Sequence, residues 1–406
     1  MKLTRANAIM LQDKPFVTDS TYREYSGTLT AESNSITLSS EYRIDQESIL
    51  IILNGVVQLD YTITNNKIVF PSTFTENIEY KIMIGVMLKN VDYTYDSLSN
   101  VIGIYRFAMG GGAGTWHHLN YDGAIVARDS AYFANHPIYG NITEVQIDGQ
   151  YMIKIPKFYV KNDNHVAIYI SPIKLDGFHC HPAFMKAGVE QDCFWIGKYL
   201  AGLQNNKLTS LKGVLAGNLN RQQIRTYAKN RNTNGLTGFG SISFYQLCAI
   251  RFLFLIEFKT GRSLNISSIY PNYKNIIDFF LPASGWQICD GIYTTESGRY
   301  FVFNNNGVDT FIDTGFSATV TTQKITNGIV KMKSGKINNF DFGDVFIAES
   351  LSDDKNSTTY PDRYSVMGRS QAVLNFGNIS NGIFSALLEG DLNYSRDDLY
   401  GRLSKI

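Results

Sequence analysis

The chain has 406 residues, a formal net charge of +1, and a composition rich in Tyr and Phe, 25 of each, with only nine Pro. That length gives enough chain for two or three domains with real cores. A net charge near zero supplies no field that would select nucleic acid, a membrane surface or an acidic ligand, whereas abundant Tyr and few charges suit β-rich domains with wet, sugar-like or protein-like binding surfaces.

Residues 1–25 are mixed and without clear period, and are expected to form an arm that orders against a partner or the rest of the chain. The start, MKLTRANAIMLQDKPFV, has no continuous apolar core followed by a small-residue cleavage site. Neither a signal peptide nor membrane insertion is expected, so a protein of this kind working outside a cell would leave it by lysis.

Residues 26–92 read as β throughout. TLTAESNSITL alternates, ILIILNGVVQL turns at Asn54-Gly55, YTITNNKIVF turns at Asn65-Asn66, and YKIMIGVML closes the set. Short strands separated by regular turn signals predict a small β-sandwich. Residues 93–139 are expected to be a glycine-rich connector. The run MGGGAGT lacks the G-x-x-x-x-G-K-[ST] ending that cradles a nucleotide phosphate, so it reads as a hinge or tight loop. From residue 140 onward strands recur: EVQID, a turn at Asp148-Gly149, QYMIKI, KFYVK and HVAIYI, and later GWQICDGIYTTESGRYFVFNN.

Between these lies SFYQLCAIRFLFLIEFKTGR, residues 243–262, the strongest helical segment. Ser243 is suited to cap its start, Lys259 to favour its carbonyl end, and Gly261 to stop it. Leu247, Ile250, Leu253, Phe254 and Phe258 lie on one face, with Phe252, Leu255 and Ile256 on others. A helix apolar nearly all round is buried on several sides, and this one is too short and too interrupted by Arg251 and Glu257 to span a bilayer.

Two resemblances follow from these segments. ILIILNGVVQLDYTITNNKIVF resembles the small β-sandwich modules of phage tail and fibre proteins. IKIPKFYVK, HPAFMKAGVEQDCFWIGKYLAG, YQLCAIRFLFLIEF and the terminal GRLSKI together resemble the C-type lectin-like domains of phage receptor-binding proteins, a fold shared with formylglycine-generating enzymes and the variable proteins of diversity-generating retroelements. The second resemblance covers residues 140–406. It implies a mainly β fold with an α+β part, in which strands and one buried helix carry a loop-rich ligand face near the C-terminus.

Several chemistries can be weighed on the residues. His179 and His181, with Glu190 and Asp192 nearby, form the best metal candidate, because alternate strand positions face one way. They lack a third ligand at a telling spacing, and His181 before Pro182 suits a framework role, so no metal and no cofactor are expected. The adjacent His117 and His118 would diverge in a strand. Cys180, Cys193, Cys248 and Cys289 show no C-x-x-C pair and read as free thiols of a cytosolically made protein. The oxidative enzymes sharing the fold use cysteines late in the domain, and none follows Cys289. Asp353-Asp354 and Asp397-Asp398 could serve as glycosidase carboxylates, but acidic pairs in polar loops are ordinarily solvated.

The C-terminal stretch is the expected ligand face. On the resemblance it would display Tyr360, Asp362, Arg363, Tyr364, Asn378, Asn381, Asn393, Tyr394, Ser395 and Arg396, residue types that combine large contact area with adaptable hydrogen bonds. The expectation is a non-enzymatic virion protein, a tail or head fibre, made in the bacterial cytoplasm. Its N-terminal region would contact other virion proteins, and its C-terminal domain, 140–406, a host surface glycan or protein. A homotrimer is implied, with neither nucleic acid nor membrane as partner. A structural adaptor or capsid decoration, or a glycan depolymerase, are the alternatives.

Overall fold

The computed structural model describes residues 22–37, 49–54, 56–58, 61–64, 67–85, 98–108, 115–163, 167–259, 286–304, 310–318, 330–338, 340–351, 359–360, 364–366, 372–376, 384, 386–391 and 393–406. The chain is mainly β and divides into two compact units, Met1–Tyr93 and Thr94–Ile406.

In the first unit, strands Tyr22–Leu29, Ile78–Gly85, Ile49–Leu53 and Val56–Gln58 form one antiparallel sheet in that order, and Ser35–Thr37, Lys67–Val69 and Thr62–Thr64 form another. Both hairpins predicted from Asn pairs and Asn-Gly are present: Leu53 faces Val56, and Thr64 faces Lys67. Asn54 takes a left-handed φ of 47°, which Asn tolerates, and its side-chain oxygen accepts the Glu79 N–H at 2.9 Å. Strand period two sends Ile51 and Leu53 to the same side, where they join Leu29, Ile36, Ile68, Phe70 and Ile82 in a core drawn from both sheets. The arm expected over residues 1–25 ends earlier, since Tyr22 already pairs with Gly85 in the long edge strand. Residues 1–21 lie outside the described residues.

The second unit begins well before residue 140. Strands Ile102–Ala108, Thr115–Leu119 and Ile125–Val126 build half of a six-stranded sheet, and Ala167–Ser171, Tyr159–Asp163 and His179–Cys180 complete it. The expected connector over 93–139 is therefore largely framework: alternating Ile102, Ile104 and Trp116 bury their side chains in the main core. The glycine run itself, residues 109–114, lies outside the described residues. Helix α1, Ser130–Asn135, follows, capped by the Asp129 side chain on the Tyr132 N–H.

A five-stranded sheet runs Thr143–Ile147, Gln150–Pro156, Cys193–Gly197, Leu403–Lys405, Phe239–Ser241. Its fourth strand is the chain's end. Leu403–Lys405 fits between two strands more than a hundred residues away in sequence, and Arg402 beside it is 1% exposed. The Arg402 guanidinium donates to Gln287 Oε1 at 2.5 Å and to the Gly197 carbonyl at 2.7 Å, so this buried cation is hydrogen-bonded rather than stranded. Burial lowers its pKa to about 9.

Helix α2, Arg221–Lys229, opens with a reciprocal capping box between Asn220 and Gln223. It buries Ile224 and Ala228, and its Arg225 donates to Asp290 at 2.5 Å. Helix α3, Phe244–Phe258, is the predicted central helix, and all of its residues are buried. Ser243 caps it as expected and Gln246 completes a capping box. The stop differs: Lys259 itself takes the left-handed conformation, with its N–H on the Leu255 carbonyl, while Gly261 lies outside the described residues. Around α3 pack the turn Pro182–Phe184, strands Ile102–Ala108 and Trp286–Thr294, and the turn Phe342–Asp344. Two polar groups reach into this apolar shell to bond α3 carbonyls. The Tyr139 hydroxyl donates to Leu253 O at 2.8 Å, and His118 Nε2 to Ile256 O at 2.7 Å.

A further sheet runs Phe311–Ser317, Arg299–Phe303, Trp286–Thr294, Ala372–Phe376, Ala386–Gly390, Tyr364–Val366, with Leu399–Tyr400 parallel to Trp286–Thr294. Tyr300 and Val302 are buried in the core, Arg299 and Phe301 alternate with them half-buried, and Phe303 packs against the core's margin.

Candidate binding site

The expected ligand face is only partly within the described residues. Asp362, Arg363, Asn378 and Asn381 lie outside them. Tyr360 ends the strand Thr359–Tyr360, opposite Val330, and Tyr364 begins Tyr364–Val366, opposite Ala386. Asn393 is exposed, its N–H held by Asp391 Oδ1 at 2.8 Å. Tyr394 is half-buried and packs against a second core cluster formed by Met152, Leu219, Ile224, Trp286 and Leu403 among others. Its ring lies so close to Gly390 that a Cβ there would come within 2.3 Å. Arg396 makes a two-pronged ion pair with Asp398, at 2.6 and 2.5 Å, and reaches the Tyr394 hydroxyl at 3.4 Å. This pairing holds Asp398 below the usual carboxylate range. Arg396 and Asp398 thus satisfy one another, and Tyr394 has a packing role that surface composition did not indicate.

The histidines separate. The strand His179–Cys180 ends before His181, which turns inward and caps the Pro182–Phe184 turn. His181 Nδ1 accepts the Ala183 N–H at 3.1 Å and Nε2 donates to the Asp344 carbonyl at 3.1 Å. One nitrogen accepting and one donating is the neutral ring, and burial lowers its pKa to about 3. His179, about half exposed, instead donates to the buried Asp344 carboxylate at 2.6 Å. That bond raises the His179 pKa. Burial outweighs the same bond at Asp344 and raises its pKa as well. Glu190 and Asp192, the other members of the metal candidate, are both taken by Lys157 at 3.3 Å, and Glu190 also accepts the Tyr159 hydroxyl at 2.8 Å. Among the described residues no group of three or more His, Cys, Asp or Glu is disposed to hold a metal ion.

The four cysteines are free. Burial pushes the Cys180 and Cys248 thiols up to about 12 and Cys289 well above its ordinary value, so none is a ready thiolate.

A concave feature lies elsewhere. A cleft of about 340 Å³ opens beside the N-terminal turn of α3, lined by Pro182, Met185, Gly188, Tyr245, Phe303, Asn304, Ile312, Phe340, Asp341 and Asp344. Its walls come from the HPAF segment, the first turn of α3, two strands of the outer sheet and the FDFGD turn. Asp341 starts that turn by accepting the Gly343 N–H at 2.9 Å, and Lys336 lies 3.3 Å from its other oxygen. Tyr245 is 7% exposed, and its hydroxyl is not one of the buried polar atoms without a partner among the described residues. Burial raises its pKa. Sequence patterning singles out none of Tyr245, Asp341 and Asp344. An acid three residues after another, flanked by Phe340 and Phe342, was the available signal for a tight acidic turn.

No protein-family model matches this chain, and no curated protein matches it.

Proposed function

We propose that the chain is a non-enzymatic bacteriophage virion protein, a tail or head fibre. In this reading the first unit is a small β-sandwich that attaches to other virion proteins. The second is a C-type lectin-like domain that binds the host cell surface. One observation carries the proposal: segments that resemble that family, far apart in sequence, converge on one framework. Gln150–Pro156, Cys193–Gly197 and the terminal Leu403–Lys405 are successive neighbours in one sheet, and α3 packs on the turn that the HPAF segment forms. Leu403–Lys405, held between two other strands of the sheet, leaves loops elsewhere to vary without unfolding the domain. Weak binding by each copy would be multiplied by several copies on one particle.

The test is direct. Immunogold labelling is expected to find the chain on purified particles, and labelled full-length protein is expected to adsorb saturably to susceptible bacteria. Particles without label would overturn the virion reading. Labelled particles whose protein never adsorbs to cells would overturn host binding and leave a structural adaptor.

A further inference from the structure

We propose that the contact between His179 and Asp344 is a pH-sensitive latch, which fastens the FDFGD turn to the strand before the HPAF segment in mild acid and releases it as the pH rises. The latch belongs to the framework of the second unit and stands apart from the host-binding reading.

The turn Phe342–Asp344 packs on α3, and Asp344 forms part of the wall of the cleft there. Three side chains from distant segments tie this turn down. Asn162 Nδ2 donates to the Gly343 carbonyl at 2.5 Å, and His181 Nε2 donates to the Asp344 carbonyl at 3.1 Å. An amide and a neutral ring have no charge to lose as the pH rises. The third tie is of another kind. His179 Nε2 donates to the Asp344 carboxylate at 2.6 Å, joining an imidazole that is 48% exposed to an acid side chain that is 8% exposed. One end of the bond can exchange its proton with solvent, while the other cannot be hydrated where it lies. That asymmetry lets solvent pH act on a buried contact.

The groups around the pair do not replace the charge of the imidazolium. Asp341 and Lys336 face it from the hairpin that leads into the turn, Tyr245 and Cys248 from α3, and Cys180 and His181 from the histidine's own segment. Burial keeps the Tyr245 phenol and both thiols protonated and the His181 ring neutral. Lys336 is the one cation of this set, and it lies 3.3 Å from Asp341 with a side chain 73% exposed.

The direction of the response follows from the pair. The bond to Asp344 is the main cause that raises His179, and burial is the main cause that raises Asp344. Raised values mean that the folded pair holds its protons more tightly than the unfolded chain. Its stabilisation is therefore complete below the ordinary values and is lost as the pH climbs through the raised ones. Above the ordinary imidazole value, about 6.5, the step that matters is loss of the His179 proton. It leaves a buried carboxylate facing only a neutral donor, the situation in which a buried pair becomes costly. Release loosens the wall of the cleft that the turn supplies.

Hydrogen exchange of the full chain between pH 6 and 9, corrected for intrinsic rates, tests the latch. The amides of Phe342, Gly343 and Val345 report the turn, since they donate to the Gly335 carbonyl, Asp341 Oδ1 and the Phe342 carbonyl. Their protection is expected to fall several-fold as the pH rises, with a limit of about tenfold per pH unit for one proton. The midpoint of the fall should coincide with that of the His179 ring, followed through its imidazole C–H resonances. His179→Gln keeps a side-chain donor without a titrating charge, and the half-exposed position tolerates it, so the folded variant should show a flat profile. Turn protection that does not change with pH in the parent, that falls equally in His179→Gln, or that falls at a midpoint away from the His179 titration would each overturn the latch.

Discussion

Leu253→Asp is expected to unfold the second unit while the first keeps its structure. Leu253 is fully buried in the middle of α3, and its carbonyl accepts the Tyr139 hydroxyl at 2.8 Å. Removing the leucine side chain alone costs about 2–5 kcal/mol in a core that cannot collapse around the gap. An ionised carboxylate there adds an effective desolvation penalty of several kcal/mol, since the helix is enclosed by apolar side chains on all sides. The sum, on the order of 6–10 kcal/mol, is comparable with the whole stability of a typical domain, about 5–15 kcal/mol. Leu253→Ala should therefore stay folded with a lowered melting temperature, and Leu253→Met, nearly the same volume, should cost under about 1.5 kcal/mol. Near-UV circular dichroism through a thermal melt distinguishes the three. Hydrogen exchange on Ile78–Gly85 reports the first unit, whose core includes Leu29, Ile51 and Ile82. A Leu253→Asp protein melting within about 2 °C of Leu253→Met would refute the central position given to α3.

Acid should weaken the protein well above the carboxylate range. His118 and His136 are lowered to about 4 and His181 to about 3, each chiefly by burial. The unfolded chain takes up these protons below its ordinary histidine pKa while the folded chain does not, so stability falls as pH drops from about 6.5 toward 4. The slope is about 1.4 kcal/mol per pH unit for each histidine. His179 acts oppositely: its raised pKa gives stability that is complete below the ordinary value and fades as pH rises through the raised one. Urea midpoints at neutral pH and near pH 5 should differ clearly, and equal midpoints would contradict the neutral, buried rings. Arg402→Met should cost about 2–5 kcal/mol, because it takes a donor from two buried neutral acceptors, Gln287 Oε1 and the Gly197 carbonyl, at roughly 1–3 kcal/mol each; a melting temperature within about a degree of the parent would show that the terminal strand is held by its backbone alone. A disulfide reagent at mildly alkaline pH should meet little native thiolate, and then react with all four cysteines after denaturation. A fast native phase would place at least one thiol outside the environment described.

The elements legible in advance share one physical property: their signal is local. Asn54 and the Asn65-Asn66 tip announce hairpins because left-handed backbone is cheap for Asn, and α3 announces itself because apolar residues on every face admit only a buried helix. The misread elements depend on partners distant in sequence. Ile102 and Ile104 flank a glycine run that looks like a linker, and only pairing with Ala167–Ser171 makes them framework. Tyr394 and Arg396 have the composition of a contact surface, and both are partly exposed; their packing on a core cluster and pairing with Asp398 add a structural role that composition does not carry. The cleft was the least legible feature. Tyr245, Asp341 and Pro182 come from three separate segments, each with an ordinary local explanation: a helix position, a turn cap, the start of a turn. What makes them a candidate site is a meeting that no periodicity carries. Tyr245 meets Asp341 and Asp344 at one cleft, although the hydrogen-bonding neighbours of the two acids, Lys336 and His179, lie outside its lining. The same holds for His118, His136, His181 and Arg402: each bonds a backbone carbonyl distant in sequence, so no local pattern announces its role.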